Sequence, residues 1–420
     1  MATEQIITGP DALEHLGRYV ADKGWRRILV VDDANTHEAL GRRLAADLAA
    51  AGCRVTQLTY PERKGLLADE EAARLVLERL EQDEPVAAAA VGSGVLNDLT
   101  RYATFAAQVP YVSVPTAASM DGYASSVAAM QFDGMKVTHP AHAPLAVFAD
   151  PGVLAAAPPD MARWGLGDLL GKASATFDWY LSHELWGEAL CPAVAQEVRE
   201  AVDRCLAALP AILDNQPEGL AALVEGLIGS GLAMAKVGSS RPASGCEHHA
   251  SHFWDLCAYR GLRPHAPHGL QVGYATRFCL KIQHAIVDRL ADPALPRPAL
   301  PTPPPGEADP GGQRWLGPDT ESLAAVRTEK RSFYASHRRA WPSNATSWAG
   351  TATRLRRAAA NFADVEAALE QAGIPATAGY LDVGTPMLEA TWRFANRLRA
   401  RYTALDFLEG TNIEAAPATG

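Results

Sequence analysis

Short β-rich runs alternate with helix-periodic stretches over the first 150 residues, and this alternation constrains the fold more than any other feature of the chain. The runs are IIT near Ile6, ILVV at Ile28 to Val31, RVTQLTY from Arg54, VAAAAV from Val86 and YVSVP from Tyr111. Between two of them Ala72, Leu75, Val76 and Leu80 recur at helical spacing and make one apolar face. Strand–helix alternation predicts a mostly parallel sheet covered on both sides, with ligands bound beyond the carboxyl ends of its strands. From about Asp160 onward Ala- and Leu-rich helical spacing takes over, which predicts a second, all-α domain. The expected division is an α/β domain over 1–159, a helical domain over 160–411 and a small polar tail over 412–420. The segment 293–310 carries eight prolines in eighteen residues and should be an extended surface loop.

Charge and cysteine usage narrow the setting. The 38 Lys and Arg against 48 Asp and Glu give a formal charge of -10, which disfavours phosphate backbones and anionic lipid, so neither nucleic acid nor a membrane is an expected partner. The N-terminus lacks a signal pattern, and no uninterrupted apolar run approaches the roughly 18 residues of a membrane span. The cysteines (Cys53, Cys191, Cys205, Cys246, Cys257, Cys279) form no CxxC, which predicts free thiols and a cytoplasmic protein.

Three strand ends attract attention. After VAAAAV comes Gly92-Ser93-Gly94-Val95-Leu96-Asn97-Asp98, a turn whose glycines and following helix amides suit a pyrophosphate. Asn97 replaces the third glycine of the dinucleotide fingerprint, so a plain capped turn is an equal reading. Asp32 and Asp33 close the earlier run, either to accept from a ribose and disfavour a 2′-phosphate or to cap a helix. After YVSVP, Thr116 to Ser125 offers small residues and hydroxyls, with Asp121 as an acceptor for a substrate hydroxyl; an ordinary turn accounts for it as well.

Histidine density is the sharpest local signal, because five of twelve (His248, His249, His252, His265, His268) fall within 21 residues. Imidazole is a common zinc ligand, and His248 and His252 share a helix face at i, i+4. The order Glu247-His248-His249 is not HExxH, so a zinc-protease reading fails. Asp168 in GLGDLLGK is the best carboxylate to complete a metal site, although Lys172 four residues on would also make it half of a helix ion pair.

Taken in order, GSGVLNDLTRYA, PTAASMDGYASS, GLGDLLGKASA, GCEHHASH and PHGLQVG resemble the sn-glycerol-1-phosphate dehydrogenase family, within the superfamily of iron-type alcohol dehydrogenases and dehydroquinate synthases. The resemblance implies a Rossmann-like α/β domain, an all-α domain of the dehydroquinate synthase-like type, and NAD(H)-dependent reduction of dihydroxyacetone phosphate to sn-glycerol 1-phosphate. It implies one divalent metal on Asp168, His248 and His268, zinc first, with nickel, iron and cobalt also suited to such donors. Asp121, Asp168 and His252 would meet substrate, and NAD rather than NADP would lie along Gly94, Val95, Leu96, Asn97, Asp98, Thr116, Ala117, Ala118, Ser119 and Ser125. Cys246 stands where the family usually has Ser or Gly, and the proline-rich segment resembles an insertion. The expected partner is a small phosphorylated substrate, with a homodimer the assembly to test. A sugar-phosphate cyclase, a metal-dependent polyol dehydrogenase and a nucleotide-binding scaffold without activity are the rival readings.

Overall fold

The structure is a computed structural model that describes residues 2–62, 65–132, 135–294, 298–301, 310–342 and 345–411. Most of the proline-rich segment and the tail 412–420 lie outside the described residues. The chain divides into two compact units, residues 1–169 with 207–236, and residues 170–206 with 237–420.

The first unit holds a sheet built from β1 (Gln5–Thr8), β2 (Arg27–Asp33), β3 (Arg54–Tyr60), β4 (Ala87–Gly92), β5 (Tyr111–Pro115) and, after the antiparallel hairpin β6 (Val127–Phe132) and β7 (Met135–Pro140), β8 (Ala146–Ala149). The order is β1-β8-β5-β4-β2-β3 and every pair in it is parallel. Residue alternation explains why both faces are covered. Ile28, Val30, Ala87, Ala89 and Val91 pack with Leu16, Val20, Leu44 and Leu48 on one face, while Leu29, Val31, Ala88 and Ala90 pack with Val76, Leu80, Leu96 and Leu99 on the other. The five strands expected from the sequence all form, and Ala72, Val76 and Leu80 are buried on the helix Glu70–Asp83. β6, β7 and β8 were not anticipated. β8 is four residues of AVFA, too short to show a period, yet it joins β1 to β5.

The single cut expected at 159/160 differs from the observed division, because the helix Pro217–Val237 packs into the first unit. Its glycines explain this. A Cβ at Gly219 would meet the backbone of Ala211 at 2.4 Å, one at Gly226 the side chain of Leu169 at 2.5 Å, and one at Gly231 the carbonyl of Asp121 at 3.1 Å. The same helix is long and apolar enough to cross a membrane by length and composition alone, although Glu225 interrupts its apolar run, and half of its apolar window is buried within the protein.

The second unit is helical, with no strand among its described residues. Its main helices include Lys172–Trp186, Cys246–Tyr259, His268–Ala291, Glu321–His337 and Thr385–Phe394. Trp179, Trp186, Trp254, Tyr274 and Tyr402 fill its core, with the Trp186 ring tilted against Tyr334 at 4.7 Å and edge-on to Tyr402 at 5.3 Å.

Candidate active site

The chain leaves β2 toward β3 on one side and returns to β4 on the other, so the strand order reverses between β2 and β4. In parallel sheets ligands bind beyond the carboxyl ends of the strands at such a reversal, and here those ends carry Asp32, Asp33, Gly92 and Ser93. Asp33 is committed there. Its carboxylate accepts from the amides of Asn35 at 2.9 Å and Thr36 at 2.8 Å, while the Thr36 hydroxyl accepts from the Asp33 amide at 2.9 Å, a complete capping box. Asp32 is fully buried, 3.1 Å from Nδ1 of His37, and burial raises its pKa against the opposing effects of Thr59 and His37. Capping therefore accounts for Asp33, and a ribose would find Asp32 beneath the surface.

The helix Gly94–Ala106 begins directly after β4, and Ser93 provides no side-chain cap for its first amides. Asn97 is fully buried and braces the turn instead, donating to the carbonyls of Gly92 at 3.3 Å and Ser93 at 3.0 Å and accepting from the Ser113 hydroxyl at 2.6 Å. Asp98 accepts from Arg101 at 2.7 Å. Arg101, which the sequence reading passed over, is wholly buried and ties three segments together: it also donates to the Tyr111 hydroxyl at 2.8 Å, to the carbonyl of Val127 at 3.1 Å and to that of Gly122. Within the stretch 94–98 the side chains of Asn97 and Asp98 thus make hydrogen bonds inside the protein.

Beyond β5 the residues Thr116, Ala117, Ala118, Ser119 and Ser125 are all buried. Tyr123 donates its hydroxyl to the carbonyl of Ala117 and closes the loop. A Cβ at Gly165 would stand 2.0 Å from the carbonyl of Ala118, so glycine permits the helix Pro159–Leu170 to press on this loop. Less than a turn later on that helix is Asp168, fully buried, whose Oδ2 accepts from the amide of Asp121 at 3.0 Å. The Asp121 carboxylate in turn accepts from Ser230 at 3.2 Å. Within the first unit, then, the sequence candidates Asp121 and Asp168 meet, and Ser230 is a partner that sequence distance concealed.

In the second unit three imidazoles gather where the helices Cys246–Tyr259 and His268–Ala291 begin. Ring centroids of His248 and His268 are 5.2 Å apart, those of His248 and His252 6.1 Å, and those of His252 and His268 6.0 Å. His249 points elsewhere: it is fully buried, and neither ring nitrogen has a partner among the described residues. Glu247 Oε1 lies 2.8 Å from His248 Nδ1 and also accepts from the Gly245 amide at 2.7 Å, while Oε2 accepts from Ser174 at 2.8 Å. Burial pushes the Glu247 carboxyl up, but the hydrogen bonds from His248, Gly245 and Ser174 more than offset it and leave it below its ordinary value. Ser251 Oγ is 3.2 Å from His268 Nδ1. Both rings are thus held at Nδ1, the arrangement that presents Nε2 to a metal. Glu247 had drawn notice only for spoiling HExxH, although its place beside a histidine pair was the available signal.

Comparison with known proteins agrees with this build. A family model described as iron-containing alcohol dehydrogenase matches residues 7–158. Over 274 residues the chain is 39% identical to glycerol-1-phosphate dehydrogenase (NAD(P)+) of Bacillus velezensis, spanning 65% of this chain and 69% of that protein. The protein of the same name from Methanosarcina barkeri is 33% identical over 272 residues, spanning 64% of this chain and 74% of its own. The iron-containing alcohol dehydrogenase structure from Thermococcus thioreducens superposes with a TM-score of 0.60 over 99% of each chain, at 17% identity, and so speaks for the fold alone. Such identity over more than two thirds of those relatives places this chain in the glycerol-1-phosphate dehydrogenase family.

Proposed function

We propose that the protein catalyses the reversible NAD(P)-dependent reduction of dihydroxyacetone phosphate to sn-glycerol 1-phosphate, with one divalent metal on Asp168, His248 and His268. The observation that carries the reading is the identity to glycerol-1-phosphate dehydrogenases. The donor set fits a metal: a buried carboxylate and two imidazoles, each imidazole held at Nδ1 by a neighbouring side chain. Zinc is the first choice, with nickel and iron as alternatives. A divalent ion there supplies Lewis-acid polarisation of a carbonyl, and a nicotinamide supplies or accepts the hydride.

The remaining work belongs to the chain. The uncapped amides at Gly94, Val95 and Leu96 would take the pyrophosphate of the dinucleotide, as helix N-termini do. Thr116 to Ser119 and Ser125 would wall the nicotinamide side, and Asp121, steadied by Ser230, would accept from a substrate hydroxyl. His252 would deliver the proton to the C2 oxygen. Its Nδ1 lies 3.4 Å from Arg399 Nη2, and a guanidinium can only donate, so the neutral ring carries its proton on Nε2. NAD is the preferred cofactor, and the negative charge of Asp33 at the end of β2 is the reason. The test is an NADH oxidation assay on dihydroxyacetone phosphate with chiral analysis of the product. The sn-1 enantiomer is expected; the sn-3 enantiomer, or no net NADH consumption, sinks the reading, and the second outcome would favour a cyclase.

A further inference from the structure

Four cations stand near one another in the second unit: Arg241, Lys330, Arg399 and Arg401. Two are neutralised by carboxylates. Arg241 makes a two-pronged pair with Glu188 and donates to the carbonyl of Tyr402 at 2.8 Å, and Lys330 pairs with Asp406 and donates to the carbonyl of Asn396 at 2.6 Å. The other two make no ion pair among the described residues. Arg401 donates to the carbonyl of Ser244 at 2.7 Å and the hydroxyl of Ser240 at 2.6 Å, both neutral acceptors. Arg399 reaches the neutral Nδ1 of His252 at 3.4 Å.

Two guanidiniums two residues apart, half-buried and with no carboxylate in direct contact among the described residues, repel one another in a medium that screens poorly, and Glu188 and Glu247 act on Arg401 only from farther off. Burial, followed by the fields of Arg241 and Arg399, pushes Arg401 down to about 9 against the smaller opposing effects of Glu188 and Glu247, and burial lowers Arg399 as well. Such an arrangement is unfavourable by itself and is relieved by an anion. A guanidinium fork matches the oxygens of a carboxylate or a phosphate, and of these the phosphate monoester is the one the proposed substrate carries.

We propose that Arg399, backed by Arg401, grips the phosphate of the substrate. The identity of the ester rests on the function proposed above; the anion subsite rests on two adjacent guanidiniums whose direct hydrogen-bond partners are all neutral. The location suits the chemistry. Arg399 touches His252 at Nδ1, and the opposite ring nitrogen bears the proton for the C2 oxygen, while in dihydroxyacetone phosphate one carbon and one ester oxygen separate C2 from phosphorus. The same side chain therefore sets the His252 tautomer and anchors the substrate at a fixed offset from it.

The experiment is steady-state kinetics of the metal-loaded enzyme with Arg399→Ala and Arg399→Lys, both checked for an unchanged melting temperature. Arg399→Ala should raise KM for dihydroxyacetone phosphate about a hundredfold, the scale of losing one partner of a desolvated charge pair, with KM for NADH unchanged. Arg399→Lys, which keeps the charge and loses the fork, should recover part of that loss. Inorganic phosphate should compete with substrate in the parent and lose this effect in Arg399→Ala. An unchanged KM for dihydroxyacetone phosphate, or a rise confined to the KM for NADH, overturns the assignment. If the parent does not reduce dihydroxyacetone phosphate, the proposed function fails separately, and calorimetric titration with inorganic phosphate decides the subsite: binding lost in Arg399→Ala supports it, and equal binding in both proteins overturns it.

Discussion

Glu247 Oε1 and His248 Nδ1 lie 2.8 Å apart, so the residue before the imidazole in sequence also fixes its ring in space. A carboxylate at Nδ1 sets the tautomer and makes Nε2 a stronger donor to a metal. Glu247→Gln keeps the size and an acceptor oxygen but removes the charge. It should weaken metal retention about 10- to 100-fold, the usual cost of losing a group that orients a ligand. Metal content measured through a chelator titration checks this, and overlapping curves for parent and variant would show that Glu247 merely fills space.

Asp33, partly exposed, gives a cleaner test of cofactor choice than its fully buried neighbour Asp32. Asparagine caps helices about as well as aspartate, so Asp33→Asn should keep the bonds to Asn35 and Thr36 while removing the charge at the end of β2. The expected outcome is a rise in kcat/KM for NADPH relative to NADH with little change in melting temperature. A constant ratio would place the discrimination elsewhere.

How much of this was legible beforehand depends on the distance over which each residue acts. β1 to β5 follow from local alternation, and the buried face of Glu70–Asp83 follows from helical spacing, because both are read within a dozen residues. β8 escapes since AVFA shows no period, and its strand character comes from the neighbours on each side. The helix Pro217–Val237 reads like any other in the second half; its membership of the first unit depends on what lies under Gly219, Gly226 and Gly231. Site residues were found where their chemistry is unusual in composition, as with the histidines. Arg101, Ser230, Glu247 and Arg399 were missed because each acts through a partner that only folding supplies.

Asp178 supplies a pH test. It is fully buried and accepts from the amides of Cys246 at 2.7 Å and Ala404 at 2.9 Å and from Gln283 at 3.1 Å. Burial, with the neighbouring Glu247 charge, pushes its carboxyl up to about 7 from an ordinary 3.8. The folded chain therefore holds a proton that the unfolded chain releases, and the stability this residue contributes is full below the unfolded value and is lost as pH rises through the folded one. The melting temperature of the parent minus that of Asp178→Asn should fall between pH 4 and pH 7 and level off above, the window set by these two values. A flat difference would mean that Asp178 titrates as an ordinary carboxylate.

Proximity alone does not choose two metal ligands from three gathered imidazoles, since the centroid separations of 5.2, 6.0 and 6.1 Å are similar. What each Nδ1 faces does choose. His248 and His268 face Glu247 and Ser251, groups able to accept a proton and leave Nε2 for coordination, whereas His252 faces the cation Arg399, which disfavours a second cation nearby. His248→Ala and His268→Ala should each lose bound metal and activity, and Asp168→Asn should do the same because it removes the charge that holds a divalent ion. His252→Ala should keep its metal and lose most turnover, as expected of a proton donor. His249 is turned about 100° from His248 on the same helix and is fully buried, so alanine there would open a cavity; His249→Leu, which preserves volume, is the proper control and should keep its metal. Elemental analysis of metal per chain on these five variants decides the assignment. A metal-free His252→Ala beside a metal-replete His248→Ala would reverse the roles of the two residues and remove the ligand set proposed for the site.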